Sequence, residues 1–205
     1  MSNRDDVWIW RHFENEDFCV KNVRLTLGRN LDINAAPNAF CWNNWATGKS
    51  TTFVWRAIDE KIPSAVALTG RGMLLQDMTC KICGADDENA MHILLRCNFV
   101  KRVWEAVSTW TNFPMPNNGN SVTELLQSIL ECHRSRFIRK ILHAIAIQTM
   151  WILWRNRNDT IFSGKQRTAQ MIIEEVKDTS LQGVRQRSKH NTITKQQWSD
   201  FNFNE

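Results

Sequence analysis

Apolar positions recur at a helical period through most of the chain after Ser50. Residues 50–60 (STTFVWRAIDE) place Phe53, Val54, Ala57 and Ile58 on one stripe, with Ser50 in the capping position. A second short helix is expected to follow Pro63 and to stop at Gly70 or Gly72. From Asn98 onward, Phe99, Val100, Val103, Trp104, Val107 and Trp110 mark an amphipathic helix that must end before Pro114 and Pro116. Ser121 and Glu124 form a capping-box pattern ahead of Leu125, Leu126, Ile129 and Leu130. A longer helix is predicted from about Ser135 to Arg157, and Thr168 caps another that reaches about Gln186. Upstream, residues 7–13 (VWIWRHF) and 18–24 (FCVKNVR) are apolar and β-favouring, separated by a polar run suited to a turn. The pattern therefore predicts a mainly α fold with a small N-terminal β-hairpin, an α+β module. Residues 114–120 (PMPNNGN) are the best internal break, which divides the chain into 5–113, a basic helical region 121–190, and a polar tail 191–205.

Composition narrows the class. A chain of 205 residues that is 42% hydrophobic can bury an ordinary core, which excludes disorder, collagen and repeat arrays. Ten Trp and ten Phe occur with no Tyr. The net charge of +5 is unevenly placed, since residues 134–195 hold 13 basic and four acidic side chains against 13 and 15 in residues 1–133. The longest apolar run, Ile141 to Trp154, contains His143 and Gln148 and falls short of the ~20 residues that span a bilayer, so it reads as a buried helix and no membrane partner is expected. The polar, acidic opening MSNRDD lacks the basic-then-apolar form of a secretory leader. An intracellular chain, nuclear or cytoplasmic, is expected, with its cysteines reduced.

Cys80, Cys83, His92 and Cys97 form the pattern C-x2-C-x8-H-x4-C. Two cysteines separated by two residues can grip one ion from a single tight turn, and a histidine and a third cysteine complete the four ligands that Zn²⁺ prefers. Three thiolates and an imidazole leave no open position for water, so one structural Zn²⁺ is expected, with no small-molecule substrate. Glu88, four residues before His92, is the expected acceptor of the second ring N–H. Cys19, Cys41 and Cys132 have no paired spacing, and His12, His143 and His190 are isolated. Gly48-Lys49-Ser50 resembles the end of a phosphate-binding loop, but Asn43 stands where that motif needs glycine and no buried strand precedes it.

In order, the segments DVWIWRHFENEDFCVKNVR, FCWNNW, FVWRAIDEKIPSAVALTGRGM, CKICGADDENAMHILLRC and VWEAVSTW resemble the zinc-binding domain that follows the polymerase in plant LINE-type (non-LTR) retrotransposon reverse transcriptases. The later TMWILWRNRNDTIF is similar to the W-x-x-W-x-x-R-N stretch that follows this domain in the family. The resemblance covers roughly residues 5–165. It departs from the family where Ala46-Thr47-Gly48-Lys49 replaces the usual Pro-x-Lys. It implies a non-catalytic zinc module whose parent enzyme is an RNA-directed DNA polymerase. The polymerase itself needs an aspartate pair on a strand turn, whereas Asp5-Asp6 and Asp86-Asp87 lack flanking apolar strands. A detached C-terminal piece of such an element is expected.

RNA or DNA is the expected partner. Lys81, Arg96, Lys101 and Arg102 lie near the metal ligands in sequence, and Arg134, Arg136, Arg139 and Lys140 open the long helix. Arg155, Arg157, Lys165 and Arg167 add a further basic group beyond its centre. The alternative is a structural remnant that braces the parent polymerase domain and binds no nucleic acid, its tryptophans forming core or interface.

Overall fold

The apolar run that reads as a buried helix organises the molecule. In the computed structural model, which describes residues 40–114 and 121–203, every side chain from Ile141 to Met150 is buried. A helix apolar on all sides needs neighbours on all sides. The first helix α1 (Gly48–Ile58) is followed by the short α2 (Ala65–Thr69), then by a π-helical turn (His92–Arg96) that leads into α3 (Asn98–Thr111). The chain continues through α4 (Val122–Glu131), the 28-residue α5 (Arg136–Ser163), α6 (Ala169–Arg187) and α7 (Lys195–Ser199). Helix α5 is the central one. Helices α1, α4 and α6 and the π turn all pack on it, while α3 and α7 pack on α6.

Short polar side chains set the helix starts. Ser121, Ser135 and Thr168 accept from the backbone N–H groups of Glu124, Ile138 and Met171 at 3.0, 3.3 and 3.2 Å. The cap of α1 is Thr47 rather than Ser50. Its hydroxyl accepts from Ser50 N at 3.1 Å, and the Ser50 hydroxyl turns back onto the Thr47 carbonyl at 2.9 Å inside the first turn. Helix α5 runs past Arg157 to Ser163 and is closed by Gly164, whose φ of 63° lies in the left-handed region that glycine enters without strain.

The expected α+β class is corrected to a helical one. Among the described residues there is no β-strand, and the β pairing consists of an isolated antiparallel bridge between Thr79 and Asp87. The zinc-loop segment is too short and too polar to extend that bridge into a ladder. The hairpin expected at residues 7–24 lies outside the described residues. No helix among the described residues is long and apolar enough to cross a membrane.

The segment read as a polar tail, 191–205, supplies Ile193 and Trp198 to the core. Thr194 and Gln197 form a capping box for α7, which sets Trp198 against Trp110, with ring centroids 5.9 Å apart. Trp110 Nε1 donates to the Trp198 carbonyl at 2.9 Å, so the end of the chain clasps the end of α3. A fully buried indole packed on a second, half-buried one outweighs the polar character of its neighbours.

Helix α6 approaches the loop before α1 at Gly183. A Cβ on Gly183 would stand 2.6 Å from the carbonyl oxygen of Trp45, which is backbone and cannot turn aside. Gly183→Ala is expected to destabilise the fold by about 1–3 kcal/mol, the overpacking cost exceeding the ~1 kcal/mol that alanine gains over glycine within a helix. Chemical denaturation measures it. An unchanged or raised midpoint would show that the two segments can separate freely.

Candidate metal centre

The metal ligands are gathered by short-range backbone bonds. Cys80 N–H donates to the Asp86 carbonyl at 2.8 Å, and Gly84 N–H donates to the Cys80 carbonyl at 2.8 Å, folding Cys80 to Gly84 into one turn. Gly84 takes a φ of 66° there. The return arm is set by Asn89, whose Oδ1 accepts from His92 N at 2.8 Å. The π turn then places Cys97 one residue past His92 to Arg96, where Cys97 N–H reaches the His92 carbonyl at 2.9 Å and Cys97 itself becomes the N-cap of α3. π turns shift the side-chain register within a helix and recur at functional positions.

Cys80, Cys83, His92 and Cys97 converge so that their ligand atoms all lie within 4.8 Å of one another. Cys83 Sγ is 3.2 Å from His92 Nε2. Cys80, Cys97 and His92 are buried and Cys83 is half-buried. The hydrogen bond from the Cys97 thiol lowers the Cys80 pKa to about 5, helped by the backbone N–H groups of Cys83 and Ile82 and opposed by burial. The same bond, with burial, raises Cys97. The arrangement favours a thiolate on Cys80, the form in which a cysteine binds a metal ion. Three sulfurs and one imidazole nitrogen in a buried four-point cluster fit tetrahedral Zn²⁺. A closed shell of this kind ties chain segments together.

The surroundings of the cluster correct one expectation. Glu88 does not face the His92 ring; the carboxylate of Asp86 stands 3.7 Å from His92 Nδ1 instead. Glu88 is 1% exposed and forms a two-point ion pair with Arg157 of α5, in which Arg157 Nε donates to Oε2 at 3.0 Å and a terminal guanidinium nitrogen donates to Oε1. Glu88 Oε1 also accepts from Ala65 N at 3.1 Å, at the start of α2. Arg157 completes its contacts with Asn158 Oδ1 at 2.9 Å and with the Trp154 ring, 5.0 Å from its centroid. The zinc loop is thus bolted to the central helix by a buried carboxylate. Nothing local in the sequence indicates that pairing.

The basic residues sort into spent and open ones. Lys81 pairs with Asp77, Arg102 lies 5.7 Å from the Phe99 ring centroid, Lys101 is half-buried, and Arg96 is exposed at a cavity shared with Glu60 and Asn89. Arg157 is buried, and Arg155 and Arg167 both pair with Glu175, at 3.1 and 2.6 Å. Arg134 donates to the Asn112 carbonyl at 3.0 Å. Arg139 donates to the Leu130 carbonyl at 2.7 Å and the Lys140 ammonium lies 4.5 Å from the Trp45 ring centroid, but neither meets a carboxylate there, and with Arg136 they line one cavity of about 360 Å³ whose described walls contain no acidic side chain.

These features define a helical domain carrying a closed Cys3His metal site, of the kind that organises structure. In agreement, residues 20–104 match the family model described as zinc-binding in reverse transcriptase, a span that contains all four ligands, α1, α2 and the first half of α3. No curated protein and no solved structure matches the chain.

Proposed function

We propose that the chain is a non-catalytic zinc-binding module of a LINE-type, non-LTR retrotransposon reverse transcriptase, of plant origin, that contacts the phosphate backbone of RNA or DNA inside the cell. The observation that supports it most directly is the cationic cavity of Arg136, Arg139 and Lys140 on a domain whose family match is to reverse transcriptase. Guanidinium and ammonium groups facing an open cavity without a carboxylate attract anions, and each neutralised phosphate releases condensed counterion. On this reading the Zn²⁺ holds residues 80–97 in shape and takes no part in a reaction.

Backbone contact is steeply salt-dependent. Changing Arg136, Arg139 and Lys140 together to Gln is expected to weaken RNA and DNA binding alike and to flatten the slope of log affinity against log salt by about 2–3, from ~0.7–0.9 per phosphate contact. Fluorescence anisotropy at two salt concentrations measures it. An unchanged slope would remove these three residues from the interface.

A second reading has its own observation. The turn after α2 exposes Met73, Leu74 and Leu75, with Leu74 fully open. Such a run suits a protein contact, in which the module braces a polymerase domain and leaves nucleic acid alone. Absence of any binding at low salt by the zinc-loaded chain favours that role.

A further inference from the structure

The cavity beside α5 carries more than positive charge. Its walls are Cys41, Trp42 and Asn43 from the loop before α1, Leu130 from α4, and Arg136, Arg139, Lys140 and His143 from α5. Two of these side chains hold buried polar atoms without a hydrogen-bond partner among the described residues, Arg139 Nε and His143 Nε2. Buried polar groups in folded proteins are nearly always satisfied, and both orphans belong to side chains of this one cavity's wall, beneath its surface.

The polarity of both orphans is fixed. Arg139 Nε is an N–H donor by chemistry, and its Nη1 is held by the Leu130 carbonyl at 2.7 Å. For His143 the tautomer follows from Asn43. Trp45 N–H donates to Asn43 Oδ1 at 2.9 Å, so the other end of that amide is the donor, and Nδ2 reaches the Lys140 carbonyl at 2.8 Å and His143 Nδ1 at 3.3 Å. A donor facing Nδ1 makes Nδ1 the acceptor and places the ring proton on Nε2. Burial lowers the His143 pKa to about 4 and keeps the ring neutral. Both orphans are therefore donors, and their complement is a group that only accepts. A phosphate meets that requirement, and Arg136 and Lys140 supply the countercharge.

The rim supplies an apolar surface of a specific kind. Trp42 is 62% exposed although it is a large ring beside a packed core, and Trp55 is 43% exposed. Their centroids lie 6.5 Å apart, and the edge contact of Phe40 at 5.3 Å braces Trp42. An open indole on the wall of a cationic cavity is the arrangement by which proteins hold unpaired nucleotides, one base on the ring and its phosphate in the groove. Duplex bases are stacked on each other and cannot use the ring.

We propose that the cavity between the Trp42 loop and the first turns of α5 is a nucleotide subsite for single-stranded nucleic acid, with a base stacked on Trp42 and the adjoining phosphate held by Arg136, Arg139 and Lys140. The proposal rests on the backbone-binding reading above and adds the strand state and the base contact. The site is distinct from the metal centre, because Lys140 and Arg157 are separated by about 25 Å of helix at ~1.5 Å rise per residue.

The test uses the full zinc-loaded chain and labelled 12-nucleotide probes in RNA and DNA form, each as a single strand, as a blunt duplex and as an abasic single strand. Single strands are expected to bind about 10-fold or more tighter than duplex or abasic strands. Trp42→Ala is expected to lose about 10-fold on the single strand while leaving the salt slope and the unfolding midpoint unchanged, and Trp42→Phe is expected to restore most of the loss. Equal binding of single-stranded, duplex and abasic probes, with the salt slope intact, overturns the subsite and leaves backbone contact standing. An unaffected Trp42→Ala variant overturns it in the same way. No binding of any probe at low salt overturns both readings.

Discussion

Serine in place of Cys83 or Cys97 is expected to abolish both zinc retention and cooperative folding. The four ligand atoms lie within 4.8 Å of one another, so each thiolate is one corner of a site that fails with three. Apparent zinc-binding free energies in small structural sites are ~10–16 kcal/mol at neutral pH, as large as or larger than the ~5–15 kcal/mol net stability of a typical domain. Cys97 is fully buried at the N-cap position of α3 without a side-chain cap bond, so what its loss removes is the metal tie at the head of the stripe of Val100, Val103 and Val107, each of which is fully buried. Cys132, which is half-buried at the end of α4, serves as the control, and Cys132→Ser is expected to keep its ion. Metal content by mass spectrometry beside a urea unfolding curve decides the matter. Full zinc occupancy in either ligand variant would sink the assignment.

The buried pair of Glu88 and Arg157 carries the second large effect. Arg157→Met leaves a carboxylate that is 1% exposed without its cation, and breaking a buried ion pair from one side costs about 3–5 kcal/mol. Removing both charges, with Glu88→Gln added to Arg157→Met, is expected to recover most of that loss, because no uncompensated charge is then left inside. Denaturant midpoints of the two single variants and the double variant close the cycle. Single-variant losses below about 1 kcal/mol would mean that water reaches the pair.

How much of this was legible depends on distance along the chain. Cys80, Cys83, His92 and Cys97 lie within one short stretch, and their spacing alone states the chemistry. The stripes of α3 and α4, and the mostly apolar run inside α5, also show in the local pattern. Long-range pairings do not. Glu88 stands one turn before His92 and looks like its partner, yet its cation is 69 residues away, and a carboxylate that can reach either group is claimed by the charge buried beside it. The position beside the imidazole falls to Asp86. Trp198 has no periodic companions, so its burial against Trp110 was invisible in a polar segment. The basic residues after residue 133 form one surplus on paper, but Arg155, Arg157 and Arg167 are consumed by Glu175 and Glu88, and Arg136, Arg139 and Lys140 are left as the group that shares a cavity.

The Glu88–Arg157 contact also sets an order of events during synthesis. A chain made from its N-terminus delivers Cys80 to Cys97 well before Arg157, which lies late in the long central helix. Closing the short loops between the ligands costs little chain entropy, whereas the clamp must wait for a partner 69 residues downstream. The metal loop can therefore be shaped and loaded while the rest of the core is still being made, and α5 then arrives to a finished surface. In such a sequence the ion acts as a placeholder, holding Glu88 in readiness until the helix that completes the fold exists.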